Sequence, residues 1–375
     1  MKFNKWTLGL AAVGVVSMAS AVNADETTKL SPVETALTTT TISGAVDVAA
    51  QYNPGDAVQT PNGKVDNFSV NSATISLDRP MDESPWAAGY HIDLNAGTDA
   101  IDALDYSGGN HDVALRQAYV ALRTPVGNGI DWKIGAFDGV TGYESNTGYL
   151  NPNYTRSYGY AMNPASEAGI LGSYKFCDAV AIQMGMANSH NAPNYNDDGR
   201  ENLTSHDYIA AVALTAPDSF GWLKGSVLNM GTIQSFEGNG ANHYSVNATI
   251  ATPVTGLKFG VAYDKLQQLA NPQGEDGNVY GVYATYQATQ KLGFNLRGEY
   301  IDGKNLFNEG YDSDGNLITW NGKGTEVTAT IEYDLWQNVL TRAEFRWDHL
   351  ESAQAFNYNN TADEYLLALN IVYKF

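Results

Sequence analysis

Hydrophobic and polar residues alternate along most of this chain, in segments of about ten residues separated by turn-forming sequences. The clearest segment is 340–350, where Ala343, Phe345 and Trp347 alternate with Arg342, Glu344, Arg346 and Asp348. Past residue 40 no sustained helical period is present, and no apolar run is long enough to cross a bilayer as a helix. The pattern therefore predicts an all-β protein whose strands each have one apolar and one polar face.

The alternating segments number about sixteen, with an uncertainty of two. Their predicted bounds are 41–52, 67–78, 86–97, 112–123, 130–138, 168–176, 179–188, 206–216, 221–233, 243–252, 256–266, 278–288, 291–302, 325–334, 338–349 and 364–375. The alternation is least regular in the second segment, around Ser72 and Ala73, and in the fourth. An even number of strands places both chain ends on the same side of a closed sheet.

The connections between these segments alternate between short and long, which a soluble β-sandwich would not require. Aromatic residues cluster beside the short ones, where the interfacial belt of a membrane barrel belongs: Trp86, Trp132, Phe176, Phe220, Trp222, Tyr333, Trp336 and Phe375. We therefore predict a transmembrane antiparallel up-and-down β-barrel, with short periplasmic turns and long extracellular loops. Sixteen strands would enclose a water-filled lumen.

The two ends of the chain carry signals for export and insertion. Lys2 and Lys5 precede an apolar stretch that ends in small residues at Ala24, which is the layout of a cleaved signal peptide over residues 1–24. Residues 25–40 are polar and Thr-rich and predict a short periplasmic segment before a barrel over 41–375. The last strand ends on Phe375, which resembles the signal by which the barrel-assembly machinery recognises outer-membrane barrels. The expected location is the outer membrane of a Gram-negative-type bacterium.

The charge balance excludes some classes of function. The chain has 41 acidic against 21 basic residues and a formal net charge of −20, so nucleic acid is not an expected partner. Cys177 is the only cysteine, so no internal disulfide can form. The six histidines show no spacing typical of a zinc site, and we predict no metal, no cofactor and no catalytic residue. An enzyme stays open only because the residues of a catalytic triad need not be adjacent in sequence.

The longest connection, from residue 138 to 167, follows the fifth strand and is rich in Tyr, Asn and Gly. Large porins often fold the third external loop into the lumen, and this connection occupies that place in the order. We therefore expect a constriction loop here, with an outward surface loop as the alternative. The candidate pore-facing residues of this loop are Tyr143, Glu144, Tyr154, Arg156, Tyr158 and Tyr160.

Charged residues at inward positions of the strands are the candidates for the pore lining. They are Asp47, His91, Asp93, Arg116, Lys133, Arg297, Glu299, Glu332, Arg342, Glu344 and Arg346. Those on the last four strands would either create a transverse field in the lumen or only pair with one another across the ladder. Both interpretations are open at this point.

Residues 115–176 also resemble a known family, the OmpL-like β-barrel porin-2 family. The resemblance rests on Arg116–Val120, Pro125–Gly129, Gly135 and Phe137, Gly142 and Glu144, the Tyr154–Tyr158 segment before Pro164, the opening Ile42–Gly44 and the final Phe375. It implies an outer-membrane porin, a passive channel for small hydrophilic solutes and ions, and it assigns no binding residue. A saccharide-selective channel and a surface-binding adhesin barrel are the alternatives. Outer-membrane lipid is an expected partner, and homotrimers are common among barrels of this size.

Overall fold

The computed structural model describes residues 39–54, 67–99, 113–188, 206–235, 241–268, 276–311, 317–351 and 362–375. Within them sixteen antiparallel strands form one closed barrel, in which each strand pairs with its neighbours in sequence and β1 pairs with β16. The predicted signal peptide and nearly all of the predicted periplasmic segment lie outside the described residues. Among the described residues, no helix is long and apolar enough to span a membrane.

The strand bounds agree closely with the alternation in the sequence. They are β1 Thr41–Tyr52, β2 Asn67–Arg79, β3 Ala88–Ala96, β4 Val113–Thr124, β5 Ile130–Asp138, β6 Ser166–Cys177, β7 Val180–Ala187, β8 Asp207–Thr215, β9 Val227–Ser235, β10 Ala241–Ala251, β11 Leu257–Gln268, β12 Asp276–Gln287, β13 Leu292–Tyr311, β14 Leu317–Trp336, β15 Val339–Leu350 and β16 Asp363–Lys374. The predicted count of sixteen and the closed antiparallel barrel are confirmed.

The barrel closes where the last strand meets the first. The backbone N–H of Gly44 donates to the carbonyl oxygen of Phe375, and the N–H of Phe375 donates to the carbonyl of Gly44, both at 3.0 Å. A side chain at position 44 would meet the Phe375 ring, because a Cβ there would lie 2.6 Å from its Cζ. Glycine at this position therefore leaves the space that the terminal ring occupies at the seam.

Apolar side chains face outward and polar side chains face inward, as the alternation predicts. In β16 the outward residues Leu367, Leu369 and Ile371 are exposed, whereas the inward Glu364 and Asn370 are buried. Most of the aromatic side chains predicted beside the short turns are exposed on the outer surface. A second aromatic belt, which the sequence analysis missed, surrounds the long-loop end and includes Tyr52, Phe68, Tyr280, Tyr300 and Tyr365.

The two segments with the least regular alternation contain β-bulges. The register of β1 with β2 shifts between Asp47 and Val48, so that Asn71 is the extra residue on β2. The register of β3 with β4 shifts between Asp93 and Leu94, so that Arg116 is the extra residue on β4. A bulge places two consecutive residues opposite one, which interrupts the period of two.

Three predicted strand boundaries are wrong by more than two residues. The ninth strand begins at Val227 rather than at 221, because a 3₁₀ segment, Asp218–Leu223, occupies the turn before it. Strands β13 and β14 each contain 20 residues and continue beyond the predicted ends at 302 and 325. Their hairpin therefore extends past the neighbouring strands at the long-loop end.

Candidate pore constriction

The connection between β5 and β6, residues 139–165, lies against the inward side chains of the barrel wall and is called the inner loop below. It contains a 3₁₀ turn, Gly148–Leu150, and a short helix α1, Tyr158–Met162. The N–H of Gly142 donates to Ser245 Oγ at 3.1 Å, and Asn247 Nδ2 donates to the Gly142 carbonyl at 2.9 Å. The loop thus reaches β10, on the wall well beyond the strands that it connects.

Glycines in the wall make room for the first part of the inner loop. The Tyr143 ring stacks on Tyr283, with centroids 4.0 Å apart, and its hydroxyl occupies the place that a side chain at Gly260 would take. The methyl group of Thr141 lies 2.8 Å from where a Cβ of Gly231 would be. These wall glycines lie at inward positions of β9 and β11, so the wall is shaped to receive the loop.

Two wall carboxylates each bind consecutive backbone N–H groups of the inner loop. Glu344 accepts from the N–H groups of Tyr154 and Thr155, at 2.5 and 2.8 Å. Glu299 accepts from the N–H groups at the start of α1, those of Tyr158 and Gly159, at 2.6 and 3.2 Å. Hydrogen bonds between a charged acceptor and backbone N–H groups are among the stronger ones in proteins.

Wall arginines bind the carbonyl oxygens of the same stretch. Arg297 donates to the Thr155 carbonyl at 2.7 Å and Arg346 to the Arg156 carbonyl at 2.6 Å. Arg342 donates to the carbonyls of Asn151 and Asn153 at 2.9 and 3.1 Å. Acids and arginines of β13 and β15 therefore alternate along the loop backbone and satisfy its donors and acceptors in turn.

The inward charges of the last strands thus have a different environment from the predicted open pore lining. Their side chains point inward, but the inner loop covers them, and Arg297, Glu299, Arg342, Glu344 and Arg346 are all at most 4% exposed. Some also pair with neighbours on the wall, because Arg297 lies 3.0 Å from Glu326 and Arg346 lies 2.7 Å from Asp348. The sequence cannot indicate this arrangement, since the partner is a backbone segment more than a hundred residues away.

Asp47 and Glu332 complete the predicted residues on this side. Asp47 accepts from Asn71 at 2.7 Å and from Asn370 at 2.6 Å, and it is buried. Glu332 occupies an inward position of β14 directly opposite Arg342 in the register. Asp47 therefore lies on the inner wall near the seam, and Glu332 lies on the inner wall near the short-turn end of the barrel.

The wall of β3 to β5 carries the remaining predicted residues in one network. Arg116, displaced by its bulge, bridges Asp93 and Asp138, with the second contact at 2.8 Å. His91 lies 3.0 Å from Asp78 and stacks on Tyr119, and the Lys133 ammonium lies 4.8 Å from the centroid of the same ring. The structure thus brings His91, Asp93, Arg116 and Lys133 together.

The predicted pore-facing residues of the inner loop divide into two groups. Tyr154 and Tyr158 face the wall and are buried, since the Tyr154 hydroxyl donates to Asn71 and that of Tyr158 to Asp348. The prediction that they face the pore is wrong, because the loop packs this edge against the barrel. Glu144 also contacts the wall, at 2.7 Å from Arg297.

Arg156 and Tyr160 form the other group and are partly exposed. The Arg156 guanidinium lies 4.2 Å from the centroid of the Tyr160 ring and donates to the carbonyls of Ser145 and Asn146. These contacts hold the arginine within its own loop. A cation held against an aromatic ring and backbone oxygens keeps its charge while losing side-chain freedom.

Burial raises the pKa of the tyrosine hydroxyls on the inner loop. The pKa of Tyr143 and of Tyr160 is raised mainly by burial, and that of Tyr158 is raised well above its ordinary value by burial and by the Asp348 carboxylate. Because an ordinary tyrosine is already neutral at pH 7, these hydroxyls remain hydrogen-bond donors over the physiological range.

An apolar cluster inside the barrel was missed by the sequence analysis. Phe137, Leu171, Ala187, Ile209 and Ile233 are buried at inward positions of β5 to β9, and Val140 of the inner loop packs on them. We expected polar side chains on the inner face throughout. The signal in the sequence was the loss of strict alternation in these strands, where both faces carry apolar residues.

A closed sixteen-stranded barrel with two aromatic belts, an apolar outer surface and a loop folded against its inner wall defines a β-barrel channel of the bacterial outer membrane. The chain belongs to the family described as "Putative beta-barrel porin-2, OmpL-like", whose model matches residues 39–375. It is an outer-membrane porin, and the resemblance noted in the sequence is confirmed. No curated protein matches the chain.

Solved porin structures share this fold at low sequence identity. An anion-selective porin from Comamonas acidovorans is 13% identical with a TM-score of 0.59, covering 90% of this chain and 99% of that one. The outer membrane channel DcaP of Acinetobacter baumannii is 11% identical with a TM-score of 0.58, covering 90% and 97%. OmpT of Vibrio cholerae, in its trimer form, is 14% identical with a TM-score of 0.57, covering 90% and 99%.

Proposed function

We propose that the inner loop narrows the lumen and that the solute passage runs between this loop and the wall of β3 to β5. The observation that carries the proposal is the attachment of residues 151–159 to the opposite wall through Glu299, Glu344 and the three arginines. A loop held by its backbone leaves Arg156 and Tyr160 on its other side. There they face the network of Asp93, Arg116 and Asp138. The pKa of Tyr160 is raised mainly by burial, and within this network Asp138 raises it further while Arg116 lowers it.

The charges of this passage favour small hydrophilic solutes with weak ion selectivity. Arg116 is matched by two acids, and Arg156 is the cation that the inner loop contributes. Acidic and basic groups of similar number around a pore exclude neither sign of ion strongly. Arginine, tyrosine and aspartate together also suit the hydroxyl groups and ring faces of sugars, so a saccharide-selective channel is the second candidate.

Planar-bilayer recording of the mature protein tests the pore. We expect a single-channel conductance on the order of a nanosiemens in molar salt, and a reversal potential close to zero in a salt gradient, as for a wide pore with balanced charge. Replacing Arg156 by glutamate should shift the reversal potential toward cation selectivity. The matched change Lys224→Glu, in the turn between β8 and β9, should leave it unchanged. A folded barrel without conductance would contradict the proposal and favour a surface-binding role.

The wider assignments rest on the sequence pattern, the family and the neighbours. We infer that the protein is a passive channel without enzymatic activity, that residues 1–24 are removed on export, and that Phe375 serves in recognition by the assembly machinery. The trimer form of the Vibrio cholerae neighbour supports a homotrimer for this chain. Native mass spectrometry of the detergent-extracted protein should give three times the mass of the mature chain, and a single chain mass would contradict this assignment.

A further inference from the structure

The outer surface of the barrel carries a groove of about 890 Å³ that crosses six neighbouring strands, from β12 through β16 to β1. Its floor contains small side chains, those of Ala50, Ala284, Ala329 and Ala343. Larger ones flank them in the register, since Ala329 lies between Leu296 and Phe345. The groove is thus a depression in a surface that otherwise carries bulky apolar residues.

The groove lies inside the hydrocarbon region of the membrane. Six strands span five spacings of about 4.8 Å, which gives a length of about 24 Å across the sheet. Because strands of such barrels tilt by about 40° from the membrane normal, the groove rises about 15 Å along that normal. Its β12 end, at Tyr286 and Phe294, lies beside a short turn, and its β1 end reaches Tyr52 in the belt at the long-loop end, so the groove crosses both leaflets of the hydrocarbon core. The part of the groove toward β12 therefore lies in the periplasmic leaflet, where acyl chains extend from that side of the bilayer.

Lys291 lies beside the short-turn end of the groove. Tyr286 and Phe294 pair across the short turn at this end, and Lys291 is three residues before Phe294. The Lys291 ammonium contacts the Leu335 carbonyl at 3.5 Å and lies 5.8 Å from the Tyr333 ring centroid. Among the described residues it has no carboxylate within salt-bridge distance.

Two other lysines at the short-turn end differ from Lys291 because each has an acidic partner. Lys175 lies 2.7 Å from Asp178, and Lys224 lies 2.9 Å from Asp218, so each already has an acidic partner within its own turn. Lys291 is therefore available to an anion at the level of the lipid head groups. Basic residues placed beside an apolar groove at the interface are a recurring way in which membrane proteins bind anionic head groups.

We propose that this groove, here called the lipid groove, binds a phospholipid of the periplasmic leaflet. The acyl chains lie over Ala284, Ala329 and Ala343, and the phosphate contacts the Lys291 ammonium. The rigid sheet gives the acyl chains a depression with fixed walls, in contrast to the mobile lipid chains around it. The site is on the outer surface, so it is independent of solute passage through the lumen.

Native mass spectrometry with added phosphatidylglycerol tests the lipid groove. The full mature protein in detergent should retain this lipid through mild activation. Ala329→Trp fills the groove and should lower the retained fraction about tenfold, because the acyl chains lose the depression that holds them. Lys291→Ala should lower retention of phosphatidylglycerol more than that of zwitterionic phosphatidylethanolamine. The matched controls are Ala210→Trp, at an outward position of β8, and Lys224→Ala, and both should retain the lipid as the wild type does.

Three outcomes would overturn the proposal. Equal retention by Ala329→Trp and Ala210→Trp would mean that the groove binds no particular lipid. Equal effects of Lys291→Ala and Lys224→Ala would remove the head-group contact. A change of oligomeric mass in Ala329→Trp alone would identify the groove as an interface between copies of this chain. All four variants should keep wild-type conductance, so this test is distinct from that of the pore.

Discussion

Replacing Arg297 by alanine should release the inner loop and raise the single-channel conductance about twofold or more, with added current noise, because the loop would no longer narrow the lumen. Arg297 is fully buried and contacts Glu144, Glu326 and the Thr155 carbonyl within 3.0 Å. Its removal leaves the Glu144 carboxylate without its cation and leaves Glu326 with only Arg346, at 3.9 Å. Loss of one partner of a buried ion pair typically costs about 3–5 kcal/mol. The inner loop can relieve this cost by moving into water, whereas the barrel strands cannot.

The control for this variant is Arg123→Ala. Arg123 pairs with Asp131 at 2.6 Å near the short-turn end of the barrel, and both side chains are partly exposed. Its removal should change neither conductance nor noise. Arg297→Lys keeps the charge without the planar fork and should give an intermediate conductance. If Arg297→Ala forms a heat-modifiable barrel with wild-type conductance, Arg297 does not hold the inner loop in its narrowing position.

Replacing Gly44 by valine should prevent efficient closure of the barrel. A side chain at this position would overlap the Thr74 carbonyl and the ring of Phe375. Because the Thr74 carbonyl belongs to the backbone, the edge of β1 must move, and this edge carries the paired backbone hydrogen bonds between Gly44 and Phe375. Overpacking of this kind costs about 1–3 kcal/mol on its own, before the loss of the seam hydrogen bonds. We expect a several-fold lower folding yield in detergent, measured by the heat-modifiable mobility of the folded form.

Ala50→Val is the matched comparison, since it adds bulk at an outward position of the same strand, opposite Leu369 and away from the Phe375 ring. It should fold like the wild type. Gly44→Ala should fall between the two, because one methyl group meets the same atoms with less overlap. Equal folding yields for Gly44→Val and Ala50→Val would show that the terminal ring has another place to go, and that Gly44 is not required there.

The charged residues on the inner face of the last strands show which part of this site the sequence could predict and which part it could not. Alternation in the sequence was enough to assign Arg342, Glu344 and Arg346 to the inner face, since every second residue of a strand points the same way. Their partners were not predictable. The inner loop contacts them through backbone groups, and a backbone N–H or carbonyl has no signature in the amino-acid sequence.

Arg116 illustrates a different limit. The irregular alternation of the fourth segment left its facing uncertain, and only the register between β3 and β4 places it as the extra residue of a bulge. The bulge turns it inward beside Gln117, within reach of both Asp93 and Asp138. A local departure from the period of two, visible in the sequence as irregularity, was therefore the sign of a specific side-chain position.

By itself the sequence determined the closed barrel, the number of strands, their inner and outer faces and the long fifth connection. Those features follow from local periodicity and turn chemistry, which each segment carries within about ten residues. The tertiary structure decided where that connection lies, which tyrosines it buries, and that residues from six strands form one groove on the outer surface. Such features depend on contacts between residues far apart in the chain, which arise only once the sheet has closed.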